Sequence, residues 1–207
     1  MFLFFAFAGT QIANLNSSSP QPSTSSASTT SSVNTSNLMF IALSFGFSLM
    51  INVWIFFRIS GGLFNPAISL ALGLVKVIPP LRAALLVVSQ VLGGITAAAL
   101  VNALLPGSLF VRTRLGGDIN TAQGLFLEMF MTAELVFVVF MLAAEKHKAT
   151  FLAPVGIGIA LFMAELAGVY YTGGSLNPAR SFGPDVVLHT FDSYHWIYCT
   201  FSYSRLM

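Results

Sequence analysis

The strongest constraint on how this chain folds is a short motif that occurs twice, 112 positions apart. Residues 60–67 read SGGLFNPA, and residues 172–179 read TGGSLNPA. Each copy is followed by an apolar segment of about ten residues, half of the roughly 20 that a spanning helix needs. Two such interrupted segments, at matching places in two halves of a hydrophobic chain, indicate an inverted repeat around one central site.

The composition places the chain in a membrane. Hydrophobic residues make up 56% and charged residues 8% of its 207 residues, which excludes an ordinary soluble domain. The net charge of +2 is too small to indicate binding to nucleic acid. The single cysteine, Cys199, excludes an intrachain disulfide, and the three histidines lack the spacing of a metal site. We therefore expect no metal, no cofactor and no enzymatic activity.

Hydropathy and length predict four spanning helices. The segments are residues 38–57, 81–104, 122–143 and 151–171. Residues 1–13 are apolar but short, so they are interpreted as a clipped first membrane helix. A signal peptide cleaved near Ala6-Phe7-Ala8 is the alternative, although it lacks a basic region before its apolar stretch.

A polar segment separates the first two hydrophobic regions. Residues 15–37 are rich in Ser and Thr, which predicts a flexible loop. Acceptor sequons for glycosylation begin at Asn16 and Asn34, and they matter only if this loop is extracellular.

The domain prediction is one transmembrane domain over residues 1–207, with a first repeat over 1–105 and a second over 122–207. Basic residues in the short loops are divided five to two between the two sides. By the positive-inside rule, the loop after residue 57 and the loop at 144–150 are cytoplasmic.

The Asn-Pro pairs predict where two short helices begin. Asn is a preferred N-cap and Pro suits the first helical position, so half-helices are expected from Pro66 to about Val75 and from Pro178 to about Leu188. Their N-termini meet near the membrane midplane, where two positive dipole ends repel cations and the Asn amides donate hydrogen bonds to water. The predicted central constriction consists of Asn65, Pro66, Ala67, Asn177, Pro178 and Ala179.

The paired motifs resemble those of the aquaporins, the major intrinsic protein family, and most of all its fungal water channels. The resemblance covers about residues 3–198. It implies an all-α membrane protein in which spanning helices and two re-entrant half-helices form an inverted repeat. It also implies a passive water pore in each subunit, a homotetramer, and a place in the plasma membrane or an internal membrane.

The resemblance further implies a selectivity filter beside the second motif. Arg180 matches the filter arginine, and an arginine at membrane depth is a functional candidate by default. Its alternative role is to bond loop carbonyls. Phe45 matches the aromatic wall of the filter, and Gly174 matches the small residue that offers a carbonyl.

Glu165 falls at the fourth filter position, where water-selective relatives usually carry His. Three interpretations are open. Its carboxylate pairs with Arg180 and offsets part of that charge, or it turns to the extracellular mouth as a solvated group, or it stays protonated in a poorly solvated site.

Two further positions concern the solute. Ser181 stands where glycerol-conducting relatives carry Asp, and Tyr198 matches an aromatic position of water channels. Both favour water over polyols, while Gly174 and Glu165 leave open a channel for glycerol or another small neutral solute. Glu128 matches an acid that bonds the backbone of a re-entrant loop, so it is interpreted as scaffold.

Both ends of the sequence depart from the family pattern. The first helix is expected to begin before Met1, and the sixth, expected from about His195, has too few residues to span a bilayer. Two hypotheses follow. The chain is a water channel with truncated end helices, or it is a non-conducting membrane protein that folds partly or only associates with intact partners.

Overall fold

A computed structural model describes residues 1–18, 34–145 and 150–200, and every regular element in these ranges is helical. The elements are α1 (Phe2–Ser18), α2 (Thr35–Ser60), α3 (Pro66–Leu74), α4 (Pro80–Leu104), α5 (Thr121–Val139), a π-helical turn (Phe140–Ala144), a 3-10 turn (Thr150–Leu152), α6 (Ala153–Thr172), α7 (Pro178–Val187) and α8 (Ile197–Thr200). Within the described residues, four helical stretches are long and apolar enough to cross a membrane. They are Thr35–Ser60, Pro80–Leu104, Thr121–Ala144 and Thr150–Thr172. The predicted all-α membrane fold is confirmed.

The predicted polar loop is shorter than residues 15–37. Helix α1 continues to Ser18 and α2 already begins at Thr35. The early start of α2 has a local cause, because the side chain of Asn34 caps the helix by accepting hydrogen bonds from backbone N–H groups of its first turn. The rest of that predicted loop, residues 19–33, lies outside the described residues, as do Lys146 and Lys148 from the orientation argument.

The two half-helices are confirmed, each within one residue of its predicted end. Helix α3 has nine residues and α7 has ten, and Pro occupies the first position of both. The side chain of Asn65 accepts from the N–H of Ala67 at 2.9 Å, and that of Asn177 accepts from the N–H of Ala179 at 3.0 Å. The same N-cap and the same Pro therefore start both half-helices.

Helices α2 and α6 cross at a point where both carry glycine. A Cβ added to Gly158 would lie 2.5 Å from the Cβ of Met50 and 2.8 Å from the carbonyl oxygen of Gly46. A Cβ added to Gly46 would likewise lie 3.0 Å from the carbonyl oxygen of Gly158. This backbone-to-backbone contact brings the two halves of the chain together, as small residues do in other membrane helix pairs.

A charged cluster fastens the C-terminal end of α7 to the loop that follows α4. The guanidinium of Arg112 donates through Nε to Asp185 and through Nη2 to Asp192, the latter at 2.9 Å. The Nδ1 atom of His195 lies 2.7 Å from the second carboxylate oxygen of Asp185. This contact with the carboxylate raises the pKa of His195 from 6.5 to about 9.

Helix α8 begins at Ile197, close to the predicted start of a last helix near His195. The described residues contain one turn of it, and residues 201–207 lie outside them.

The helix crossing predicts that Gly158→Ala destabilises the protein. The added methyl group must displace Met50 or the α2 backbone, and overpacking of this kind costs about 1–3 kcal/mol. Gly93→Ala is the matched control, because a Cβ at Gly93 has no atom within 4 Å. Thermal unfolding in detergent should show a lower transition temperature for Gly158→Ala alone. Equal transitions would mean that the crossing is not tightly packed.

The charged cluster predicts that the thermal stability of the protein falls as the pH becomes alkaline. Because the pKa of His195 is raised on folding, its contribution is complete below pH 6.5 and is lost as pH rises through about 9. The transition temperature of the native protein should therefore fall between about pH 7 and about pH 10, and the fall should be smaller in His195→Asn. The same pH profile in both proteins would contradict the pairing of His195 with Asp185.

Candidate functional site

The two half-helices meet N-terminus to N-terminus, and each asparagine reaches across to the other motif. The Nδ2 atom of Asn65 donates to the carbonyl oxygen of Leu176 at 2.7 Å, and Nδ2 of Asn177 donates to that of Phe64 at 3.0 Å. Each side chain thus caps its own helix with oxygen and bonds the opposite loop with nitrogen. An amide carries two N–H groups, so one on each asparagine is left for a further acceptor.

Both asparagines line a cavity of about 230 Å³, which reaches the surface at exposed residues such as Val77 and Arg82. Most of its wall is apolar, with aliphatic and phenylalanine side chains from α2, α5 and α6. The polar exceptions include Arg180 and Arg82. Gly61 and Gly62 also line it and have φ of +91° and +64°, a conformation that glycine adopts without strain. A polar molecule inside the cavity therefore meets few hydrogen-bond partners other than the two amides, these two arginines and the backbone groups of the glycines.

Arg180 is fixed beside this cavity by the loop that precedes it and by the loop that follows α4. Its side chain donates to three carbonyl oxygens, those of Gly174 at 3.0 Å, Val111 at 2.6 Å and Gly173 at 3.1 Å. The side chain is only 2% exposed. A guanidinium has five N–H groups, so two are left over. The alternative role predicted for Arg180, bonding loop carbonyls, is therefore present. These bonds also hold the two remaining N–H groups in a fixed orientation.

Two phenylalanine rings flank the guanidinium of Arg180. Its central carbon lies 5.1 Å from the ring centroid of Phe45 and 5.6 Å from that of Phe7, within the range of cation–π contacts. Phe45 also lines the cavity, and its role as the aromatic wall of a filter stays a prediction. Phe7 was not singled out, because it lies in α1, where no motif marks it, and its proximity arises only from helix packing.

Glu165 lies against Gly174 and is completely buried. A Cβ on Gly174 would lie 1.9 Å from Oε2 of Glu165, so the carboxyl group fills the space that a side chain there would need. Among the described residues, neither carboxyl oxygen has a hydrogen-bond partner and no ion pair within 4.0 Å joins Glu165 to Arg180. Neither the ion pair with Arg180 nor the solvated position at the mouth is observed.

Ser181 and Tyr198 lie behind the site rather than in the cavity wall. The hydroxyl of Ser181 is buried between Ser175 and Thr113, at 2.6 Å and 2.8 Å. The hydroxyl of Tyr198 donates to the carbonyl oxygen of Thr172 at 3.0 Å. Both residues therefore act on the shape of the second re-entrant loop and not by direct contact from the cavity wall.

Glu128 supports the same loop from α5. One carboxylate oxygen accepts from the Thr172 hydroxyl at 2.6 Å and the Ser175 N–H at 2.9 Å, and the other accepts from the Leu176 N–H at 2.8 Å. This confirms the scaffold role predicted for Glu128. The acid holds the segment whose carbonyl groups bind Arg180 and Asn65.

Two glutamines with similar roles were not predicted from the sequence. Gln90 on α4 donates to the carbonyl oxygen of Leu63 at 2.9 Å and the hydroxyl of Ser69 at 2.8 Å, so it secures the first re-entrant loop. Gln11 on α1 bonds the backbone after α4, near Ser108. The available signal was a polar residue in an otherwise apolar helix. The described residues contain no group of three His, Cys, Asp or Glu side chains that could hold a metal.

Comparisons with known proteins agree with this arrangement. Residues 1–200 match the family model described as Major intrinsic protein. The chain is 58% identical to Aquaporin-7 and 62% identical to Aquaporin-5 of Botryotinia fuckeliana (strain B05.10), each over 198 residues. These alignments cover 96% of this chain but 43% and 36% of the relatives, so the chain spans less than half of their length.

The fold also matches a solved structure. The X-ray structure of the aquaglyceroporin from Plasmodium falciparum has a TM-score of 0.72 at 17% identity, covering 98% of this chain and 85% of that one. Proteins of the matched family are channels and not enzymes, in agreement with the sequence prediction. The chain belongs to the major intrinsic protein family, as a close relative of fungal aquaporins.

Proposed function

We propose that this chain is a passive water channel whose pore passes between the paired Asn-Pro-Ala motifs. The observation that carries the proposal is that Asn65 and Asn177 each donate a hydrogen bond to a backbone carbonyl of the opposite motif, at the wall of a cavity. These two bonds hold two helix N-termini together inside a bundle of membrane helices. The aquaporin names of its fungal relatives support the same function.

The chemistry of the constriction suits a neutral molecule with an acceptor oxygen. Each asparagine has one N–H left to donate, and each helix N-terminus contributes roughly half a positive charge. A water molecule accepts from these amides, while its neighbours along the apolar wall find few other partners. A cation at the same point is repelled by both dipoles. Pro66, Ala67, Pro178 and Ala179 shape the helix starts that present these groups.

We assign the filter to Phe45, Glu165, Gly174 and Arg180. Arg180 contributes fixed positive charge and two remaining N–H donors beside the ring of Phe45. Gly174 contributes through its carbonyl group, which orients Arg180, and leaves room for Glu165. Ser181 and Tyr198 favour water by holding the loop behind the filter. The alternatives are that the chain conducts glycerol or another small neutral solute, or that it does not conduct, and the experiment below distinguishes them.

The proposed working form is a homotetramer in the plasma membrane or an internal membrane, with a pore in each subunit. Four helical stretches of spanning length make the chain a multi-pass membrane protein. The large phenylalanine and isoleucine side chains exposed along them fit contact with lipid and with neighbouring subunits.

The pore proposal predicts that Asn177→Asp removes water permeability. The carboxylate keeps the cap on Ala179 but loses both N–H donors and places negative charge against the carbonyl of Phe64. Stopped-flow shrinkage of proteoliposomes in a sucrose gradient should fall from a rapid rate to about that of empty liposomes. Asn65→Asp should have the same effect, since the two residues make matching bonds.

Asn120→Asp is the matched control. Asn120 caps α5 outside the cavity, and Asp is an equally good N-cap, so rapid shrinkage should be retained. Rapid shrinkage with sucrose and slow entry of glycerol in the native protein would support a water channel. Rapid glycerol entry would support the glycerol alternative. Native protein that is inserted and folded, yet no faster than empty liposomes, would refute conduction by this chain.

The filter assignment predicts that Arg180→Val admits cations. Removal of the guanidinium takes away the fixed charge beside Phe45 and widens the passage. Proteoliposomes with a proton gradient and an internal pH dye should lose the gradient faster than those with native protein, while water permeability persists. Arg114→Gln, which removes an exposed arginine, should leave the leak unchanged. An equal leak in both variants would contradict a filter role for Arg180.

A further inference from the structure

Glu134 is an acid in the middle of a spanning helix with no role in the proposed pore. It lies thirteen residues after the start and ten before the end of the span Thr121–Ala144, so about 20 Å and 15 Å from its ends. The other acids of the spanning helices, Glu128 and Glu165, are buried, whereas Glu134 is exposed. Within the described residues, Glu134 has no hydrogen bond or ion pair.

The surface around Glu134 makes this exposure costly. The same face of α5 carries the exposed side chains of Phe126, Phe130, Phe137 and Met141. A glutamate side chain is far too short to reach water from the middle of the bilayer, and ionisable groups at that depth normally have a partner. The face therefore needs a hydrogen-bond donor that this copy of the chain does not supply.

The chain carries a matching donor on another exposed face. Trp54 of α2 is 53% exposed, and its indole N–H makes no hydrogen bond within the described residues. It lies six residues, or about 9 Å, before the end of its span at Ser60. Because α3 is re-entrant and α4 crosses back, α2 and α5 run in the same direction. Trp54 and Glu134 thus differ in depth by about 6 Å, which their side chains can bridge.

The exposed faces that carry Glu134 and Trp54 do not pack against each other within one chain. Helix α2 packs mainly against α1 and α6, whereas α5 packs mainly against α6. The exposed face of α2 consists of Trp54 with Phe47, Ile51 and Ile55, which are as apolar as the face around Glu134. Each face is therefore free to meet the other only in a second copy.

We propose that Glu134 of one copy accepts a hydrogen bond from the indole N–H of Trp54 in a second copy. The contact joins different faces of the two copies, so its repetition adds further copies and forms a ring of subunits where the rotation closes, instead of a symmetric pair. This inference specifies the interface of the proposed assembly but does not depend on what the pore conducts. Its test measures proximity between chains, and permeability is measured separately.

The test uses disulfide crosslinking that leaves Trp54 and Glu134 intact. In a Cys199→Ser background, which removes the native cysteine, Ile51→Cys is combined with Phe137→Cys. These positions are exposed neighbours about one turn from the proposed pair, and they lie nine and seven residues before the ends of their spans. Their depths therefore differ by about 3 Å, which a disulfide can bridge. Oxidation in membranes with copper phenanthroline should produce dimers and larger multiples of the 22.2 kDa chain on a denaturing gel.

The control pair is Ile51→Cys with Phe126→Cys. Phe126 is exposed on the same face but lies eleven residues from Phe137, about 16 Å along the helix axis. It should give at most a few per cent of the crosslinking. Equal yields from the two pairs, or multimers from either single variant, would overturn the proposed contact. No crosslinking from inserted protein would instead assign these faces to lipid or another protein and would also overturn it.

A second measurement tests the hydrogen bond itself. Trp54→Phe keeps the ring but removes the donor, and Glu134→Leu removes the acceptor. Each should lower the temperature at which the oligomer dissociates in mild detergent, followed by light scattering after size exclusion. The double variant should be no weaker than the weaker single variant, since one bond is lost in each case. Additive effects would show that the two residues do not interact.

Discussion

The structure depends on the two hydrogen bonds that Asn65 and Asn177 each donate to a backbone carbonyl of the opposite motif. Two helix N-termini repel each other electrostatically, and their first N–H groups have no partners within the helix. Each asparagine compensates for both effects. Its side-chain oxygen accepts from an N–H of its own helix, and its side-chain nitrogen donates to a carbonyl of the opposite loop. Short helices that end in the membrane interior are otherwise unfavourable, because water is not available to their ends.

A set of buried polar side chains extends this arrangement to the surrounding helices. Glu128 binds the second re-entrant loop from α5, Gln90 binds the first from α4, and Arg180 is held by loop carbonyls. In an apolar medium, each unpaired backbone group is costly, so these side chains determine where the non-helical backbone can lie. The spanning helices then pack around this network through small residues such as Gly46 and Gly158.

The sequence predicted the helices and the half-helix starts well because their signals are local. Length and hydropathy identify a span, and Asn-Pro identifies a capped helix start. The predicted ends of the polar loop were less accurate, because α1 continues through Asn16 to Ser18, where the residues are polar and give no hydropathy signal. Long-range packing was the main gap. The contact of Phe7 with Arg180 and the bonds of Gln11 depend on how α1 lies against the bundle, which no local pattern encodes.

The placement of Glu165 against Gly174 links two positions of the proposed filter that a redesign would normally treat as independent. Gly174 has φ of +58°, and the carboxyl group of Glu165 occupies the volume beside its Cα. Any larger residue at position 174 therefore meets both an unfavourable backbone conformation and an occupied space. A shorter side chain at position 165 frees the occupied space but leaves the backbone conformation at position 174 unfavourable. In the proposed filter, a change of width would therefore start from Glu165, with the glycine as the fixed element to which the other side chains adapt.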